Sequence, residues 1–291
     1  MSVIPIPKKQ QHLLKSDKVN FSLYSPRMIV WGKNKKGEFK FDSDSMVRLE
    51  EKSRSCFKNA DKLLKERNNK QAEYIEFLKE QKLNTFEFPV ELTSPFVTGL
   101  GSGHPTETGM ILDRNTGLPY IPASSIKGVC LLAYAINIAK KGMADEKGNI
   151  TLEGMKKIEE LFGTQDENAK EKKRGQLVFL DAYPAAIPEL AVDIMNPHFK
   201  SYYNGTNKQP VETESPEPIK FLTVKKEVGF TFHCYFLPSG EEKKESEKID
   251  ISDEVKEIFK TAFETVGFGG KTSIGYGRFK LIKMIKYNVL V

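Results

Sequence analysis

Twelve residues near one end of the chain, Gly267-Phe-Gly-Gly-Lys-Thr-Ser-Ile-Gly-Tyr-Gly-Arg278, hold five glycines and two cations. Residues of these types hold anions well. Without a Cβ, glycine lets the main chain take positive φ and lets another backbone come close. Successive exposed N–H groups in such a turn form a concave anion site. Gly269, Gly270, Thr272 and Ser273 could supply such donors, with Lys271 and Arg278 adding charge. A tight turn with purely conformational glycines explains the same residues. Gly270-Lys271-Thr272 looks like the end of a mononucleotide P-loop, but that motif needs a glycine five residues before its GK glycine, between a strand and a helix. Position 265 is Thr265, and the flanks here read helix, loop, strand. ATP binding of that kind is excluded.

A second set is Pro122-Ala-Ser-Ser-Ile-Lys127. Pro122 fixes the chain as it enters a helix, and Ser124 or Ser125 can cap the first turn. Lys127 then opposes the macrodipole, which makes sense if the helix start holds a phosphate. A capped helix with a snorkelling lysine explains the run equally well. For hydrolysis, the carboxylates to weigh are Asp113, Asp181 and Asp193. Asp113 opens a turn where aspartate is locally favoured, and Asp181 ends a strand. His198 has Tyr202 and Tyr203 nearby but no identifiable partner acid or base. The cysteines (Cys56, Cys130, Cys234) and histidines (His12, His104, His198, His233) lie too far apart for a metal-ligand spacing.

The elements that must position these residues follow from periodicity. Residues 1–42 read as an extended arm in which Met28–Trp31 and Glu38–Phe41 can pair. Residues 44–82 are helical and charge-laced, with Met46, Leu49, Cys56, Ala60, Leu63 and Leu64 on one stripe and Ala72, Ile75 and Leu78 on a second. Such a face is usually solvated. Phe86, Phe88, Val90 and Leu92 alternate as a strand. Met110–Asp113 and Leu118–Ile121 flank a turn, and a helix follows with Ile126, Val129, Cys130, Ala133 and Ile136 inward. A short helix covers about 152–162, a buried strand 176–180, and strands 221–224 and 229–236. Residues 183–220 are proline-rich and irregular, the kind of long segment that is usually either functional or disordered. Ser252 caps a helix reaching Val266, and a strand-like run spans Phe279 to Tyr287.

Composition narrows the class. With 291 residues, 39% hydrophobic and 29% charged, the chain can build a real core under a polar surface. No apolar run suits a bilayer span, and the first residues lack the order of a signal peptide. Unpaired cysteines fit a reducing cytoplasm. A net charge of +6 favours an anionic partner.

Taken in order, Gly109-Met-Ile-Leu-Asp113, TGLPYIPASSIKG at 116–128, LFGT at 161–164, RGQLVFLDAYP at 174–184 and the terminal GFGGKTSIGYGRF resemble the RAMP superfamily of CRISPR effector subunits. Val192-Asp-Ile-Met-Asn-Pro-His-Phe199, Tyr202-Tyr203 and PEPIKFLTV at 216–224 narrow the resemblance to the sixth-subunit family of type III-B Cmr complexes. It covers roughly residues 86–285; many relatives have a glycine where this chain has Ala123. The resemblance implies an α+β fold: a ferredoxin-like or RRM-like core over 86–291, an N-terminal helical extension over 1–85 and a thumb-like hairpin inserted at 183–220. It implies a non-catalytic RNA-binding subunit without cofactor, clamping guide RNA (crRNA) and target RNA near the end distal to the 5′ tag. The glycine loop, Ser124, Ser125, Lys127, Asn196 and His198 would face RNA. Its partners would be the target-cleaving backbone subunit, the small helical subunit and the capping first subunit, in the cytoplasm. An endoribonuclease of the same superfamily is the alternative.

Overall fold

A computed structural model describes residues 6–33, 37–42, 44–166, 168–196, 205, 209, 218–238 and 251–282. The elements run α1 (Phe21–Arg27), β1 (Trp31–Lys33), β2 (Phe39–Phe41), α2 (Ser45–Lys58), α3 (Asp61–Glu80), β3 (Thr85–Leu92), α4 (Ala123–Lys140), α5 (Leu152–Phe162), β4 (Leu177–Phe179), β5 (Tyr183–Pro184), β6 (Leu190–Met195), β7 (Ile219–Val224), β8 (Gly229–Phe236), α6 (Ile251–Thr261) and β9 (Phe279–Leu281). The class is α+β. No helix among the described residues is long and apolar enough to cross a membrane.

Period-2 alternation in β3 decides the centre. The strand pairs antiparallel with β8 in the register Phe88↔Phe232 and with β9 in the register Leu92↔Phe279. The sheet order is β4-β8-β3-β9, with β5 also on β8. Phe86, Phe88, Val90 and Leu92 are all buried. On that face Phe88 stacks on Phe259 of α6 at 4.1 Å, and Phe232 meets Phe263 edge-on at 5.0 Å. Burying each such ring contributes about 1.5–3 kcal/mol before entropy. α4 lies beside α6: Tyr134 donates its hydroxyl to Glu254, Asn137 its amide to the Glu257 carbonyl, and Thr261 its hydroxyl to Asn137. α6 continues as a π-helical turn, Ala262–Val266, and stops at Gly267, whose φ of +78° delivers the chain into the glycine loop.

The other face carries Thr85, Glu87, Pro89 and Glu91 from β3, and α3 crosses over it. Asn68 donates to the Pro184 carbonyl at 3.0 Å and Gln71 to that of Asp181 at 2.8 Å, while Tyr74 meets Tyr235 edge-on.

Several expectations need correction. The N-terminal arm is not extended: Lys8–Leu14 is a 3-10 helix and α1 follows, capped by the Asn20 side chain. Phe21 packs edge-on to Phe57 at 5.2 Å and joins the same buried cluster as the β3 phenylalanines. Leu63 and Ala72 are exposed, not on a buried stripe. By contrast, the turn expected between Met110–Asp113 and Leu118–Ile121 is present: Leu112 and Pro119 form an isolated antiparallel bridge, and Asp113 N–H donates to the Leu118 carbonyl at 2.9 Å. Ser252 lies buried inside α6, which already starts at Ile251. The 183–220 stretch is not irregular throughout, because β6 pairs along its length with β7, from Leu190↔Val224 to Met195↔Ile219. Prolines on both sides mask the short alternation of Leu190, Val192 and Ile194. Glu241–Lys248 and residues beyond Ile282 lie outside the described residues.

His233 adds a titratable liability. Buried on β8, its imidazole is held near pKa 4 by desolvation first and the Lys79 charge second. The folded state stays neutral there while the unfolded chain takes up a proton below its ordinary value, so stability is full above about pH 6.5 and falls as pH drops toward 4. Chemical unfolding at pH 7.5 and 4.5 should show His233→Gln losing less stability on acidification than the parent, by on the order of 2 kcal/mol.

Candidate nucleic-acid interface

The glycine loop rests on the segment after β3. Gly270 N–H donates to the Val97 carbonyl at 2.8 Å, Gly277 N–H to that of Pro95 at 2.9 Å, and Arg278 N–H to the Ser94 hydroxyl at 3.0 Å. A Cβ on Gly269 would lie 2.1 Å from the Val97 oxygen, and one on Gly277 1.9 Å from the Phe268 oxygen. At these two positions the purely conformational reading holds. The tip differs. Lys271 is left-handed (φ 60°, ψ 26°), Thr272–Ile274 form a 3-10 turn, and Gly275 is left-handed again at φ 99°. Alternating hands of this kind make a concave row of amides. Among the described residues the N–H groups of Lys271, Thr272 and Ser273 find no acceptor. The conformational reading therefore accounts for Gly269 and Gly277, while the tip at Lys271–Ser273 leaves its amides free of acceptors among the described residues.

The two cations of the loop sit differently. Arg278 turns inward, donating from Nη2 to the Thr272 carbonyl at 3.1 Å, with Nη1 buried against Gly267 and without a partner among the described residues. Lys271 places its ammonium 5.5 Å from the centroid of the Phe221 ring on β7. Tyr276 packs on the same ring and donates its hydroxyl to Asp193 of β6. Burial, then the Asp193 contact, pushes the Tyr276 hydroxyl up to about pKa 12. The loop is thus pinned to the β6–β7 pair, a link that no local sequence signal announces.

At α4 neither serine caps. The N-cap is Pro122, with no side-chain cap bond, and Asp181 accepts the Ala123 N–H at 2.7 Å from across the fold. Ser124 and Ser125 remain exposed on the first turn, and Lys127 has no ion-pair partner among the described residues. Asp181→Ala should cost about 1 kcal/mol of stability in chemical unfolding, whereas Ser125→Ala should cost little. The other carboxylates are also engaged. Asp113 accepts from the Asn115 and Thr116 amides and sits 3.7 Å from Arg67. Arg67 in turn lies over Tyr183, which stacks on Tyr120. Asn196 follows β6 and is exposed; His198, Tyr202 and Tyr203 lie outside the described residues. The sequence reading missed Asp181 as the helix cap, and only its place at the end of a strand hinted at it.

The RAMP superfamily profile matches residues 90–280, a span that includes the glycine loop and the start of α4. The chain belongs to the RAMP superfamily. Among its relatives, the CRISPR system Cmr subunit Cmr6 of Pyrococcus furiosus is 33% identical over 256 residues, covering 71% of this chain and 70% of that protein. The Cmr6 subunit of Saccharolobus solfataricus is 28% identical over 216 residues, covering 72% of this chain and 62% of its own length. This RAMP chain also shares its fold with one in the cryo-EM structure of the type III-B Cmr-beta bound to cognate target RNA, with a TM-score of 0.54 at 22% identity over 91% of this chain and 81% of the other.

Proposed function

We propose that this RAMP chain is a non-catalytic, RNA-binding structural subunit of a type III-B Cmr complex. In this reading it holds guide and target RNA near the end distal to the 5′ tag, in the cytoplasm, between the target-cleaving backbone subunit, the small helical subunit and the capping first subunit. The observation that carries the reading is the row of free amides at Lys271, Thr272 and Ser273, set in alternating left- and right-handed backbone beside an ammonium group. A phosphodiester backbone suits such a row, since amides and ammonium groups neutralise charge without reading sequence. Ser124, Ser125 and Lys127 at the α4 start would take a second phosphate, with Asn196, just after β6, and His198 as further RNA contacts.

A ferredoxin-like core is supported by strand order: β3, β4, β8 and β9, in the sheet order β4-β8-β3-β9 with α4 and α6 as the intervening helices, follow the split β-α-β pattern. The β6–β7 pair would be the base of the inserted thumb. Asp113, Asp181 and Asp193 each make a bond that shapes a turn, caps a helix or anchors a loop, which supports holding over cutting. A pull-down of the tagged chain from its host, with sequencing of the bound RNA, tests the assignment. Repeat-derived guide RNA and sister subunits should co-purify, and their absence would sink it.

A further inference from the structure

A cavity of about 490 Å3 opens between α1 and the loop after β3. Its described lining carries two guanidinium groups, Arg27 and Arg114, and three serine hydroxyls, but no carboxylate. That is notable in a chain with 39 acidic residues. Arg114 is exposed, with no ion-pair partner among the described residues, and Arg27 makes only a long 3.4 Å bond to the Leu23 carbonyl of its own helix. The interior is not charged. Burial lowers the pKa of His104, whose Nδ1 hydrogen-bonds the Thr106 hydroxyl at 2.7 Å, so the imidazole stands as a neutral planar wall at pH 7. Met110 and Leu112 supply apolar surface that continues into the core.

Flat apolar and aromatic surface inside with cations at the mouth matches one ribonucleotide: stacking suits any base, and guanidinium groups pair with phosphate. Pockets of roughly 300–1,000 Å3 are the usual size for small ligands of this kind. The segment that walls the cavity also supports the glycine loop. Gly270 bonds to Val97 and lies against Leu100, Ser102 N–H donates to the Gly99 carbonyl, and Ser102 and Gly103 form a cavity wall. The segment that supports the amide row therefore also shapes the pocket.

We propose that this cavity receives one unpaired nucleotide of the RNA passing over the glycine loop, base inward and phosphate on the Arg27 and Arg114 guanidinium groups. The inference rests on the RNA-holding reading above. It is tested by photocrosslinking the full chain to single-stranded RNA carrying 4-thiouridine and mapping the labelled peptides by mass spectrometry. The parent should crosslink within residues 22–27 and 102–114. Two variants should each cut that labelling about fivefold or more while leaving crosslinks at 267–278 in place. One is Arg27→Gln with Arg114→Gln, which removes charge. The other is Gly103→Leu, which fills space: Gly103 lacks a left-handed φ, and a Cβ there meets nothing within 4 Å, so the fold accepts it. RNA bound by the parent but crosslinked only elsewhere, or labelling unchanged in both variants, would overturn the pocket and leave the RNA-holding reading standing. No RNA bound by the parent would overturn both.

Discussion

Lys271→Asn weakens binding to single-stranded RNA on the order of tenfold, whatever the sequence, and flattens the dependence of log K on log salt by about 0.7 for the lost phosphate contact. Asparagine is the right replacement because Lys271 is left-handed at φ 60°, and Asn tolerates that region better than Ala. The substitution removes the ammonium group and keeps the amide row. The Phe221 ring loses its cation, a contact worth about 0.5–1 kcal/mol at a surface, so the protein stays folded. Equilibrium titration at several salt concentrations reads both quantities. An unchanged affinity and slope in the folded variant would mean that the loop is only a turn.

Gly277→Ala is expected to be the most damaging change in the loop, and to damage folding. Its φ is +67°, and an added Cβ would lie 1.9 Å from the Phe268 oxygen, with the residue also tied through its N–H to Pro95. Backbone strain and steric displacement together should cost on the order of 3–5 kcal/mol and lower Tm by roughly 10 °C. Two other glycines separate the causes. Gly275 is also left-handed, at φ +99°, but a Cβ there meets open space, and Gly270 lacks a left-handed φ and has room at 3.6 Å. Gly275→Ala should therefore cost about 1 kcal/mol, and Gly270→Ala close to nothing. Thermal unfolding of the three variants gives the ranking directly. Equal losses in all three would show that close approach at Gly277 is not what fixes the loop.

What could be seen in the sequence was whatever depends on local period. β3, α4, α5 and α6 carry strong alternation or helical stripes, and Phe88, Cys130, Ile158 and Phe259 are buried as those patterns require. Features that depend on distant partners could not be seen. Ser124 and Ser125 are good capping residues, yet the bond at the α4 start comes from Asp181, 58 residues away along the chain. The inward turn of Arg278 depends on Gly267 and Thr272 meeting it in space. β6 was hidden because three alternating apolar residues between prolines fall below what periodicity can distinguish from loop. The glycine loop was ambiguous for a physical reason: glycines that permit a left-handed turn and glycines that admit a phosphate look alike until the neighbours of each Cβ position are known.

The central claim, that this RAMP chain holds RNA without cutting it, is tested most directly by one titration. The purified chain is incubated with end-labelled single-stranded RNA, with and without magnesium, and bound and intact RNA are quantified on native and denaturing gels. The expected result is salt-dependent binding with full-length RNA recovered under both conditions, unchanged in Asp193→Asn. Cleavage at defined positions that disappears in Asp193→Asn or His198→Ala would contradict it and make the chain an endoribonuclease.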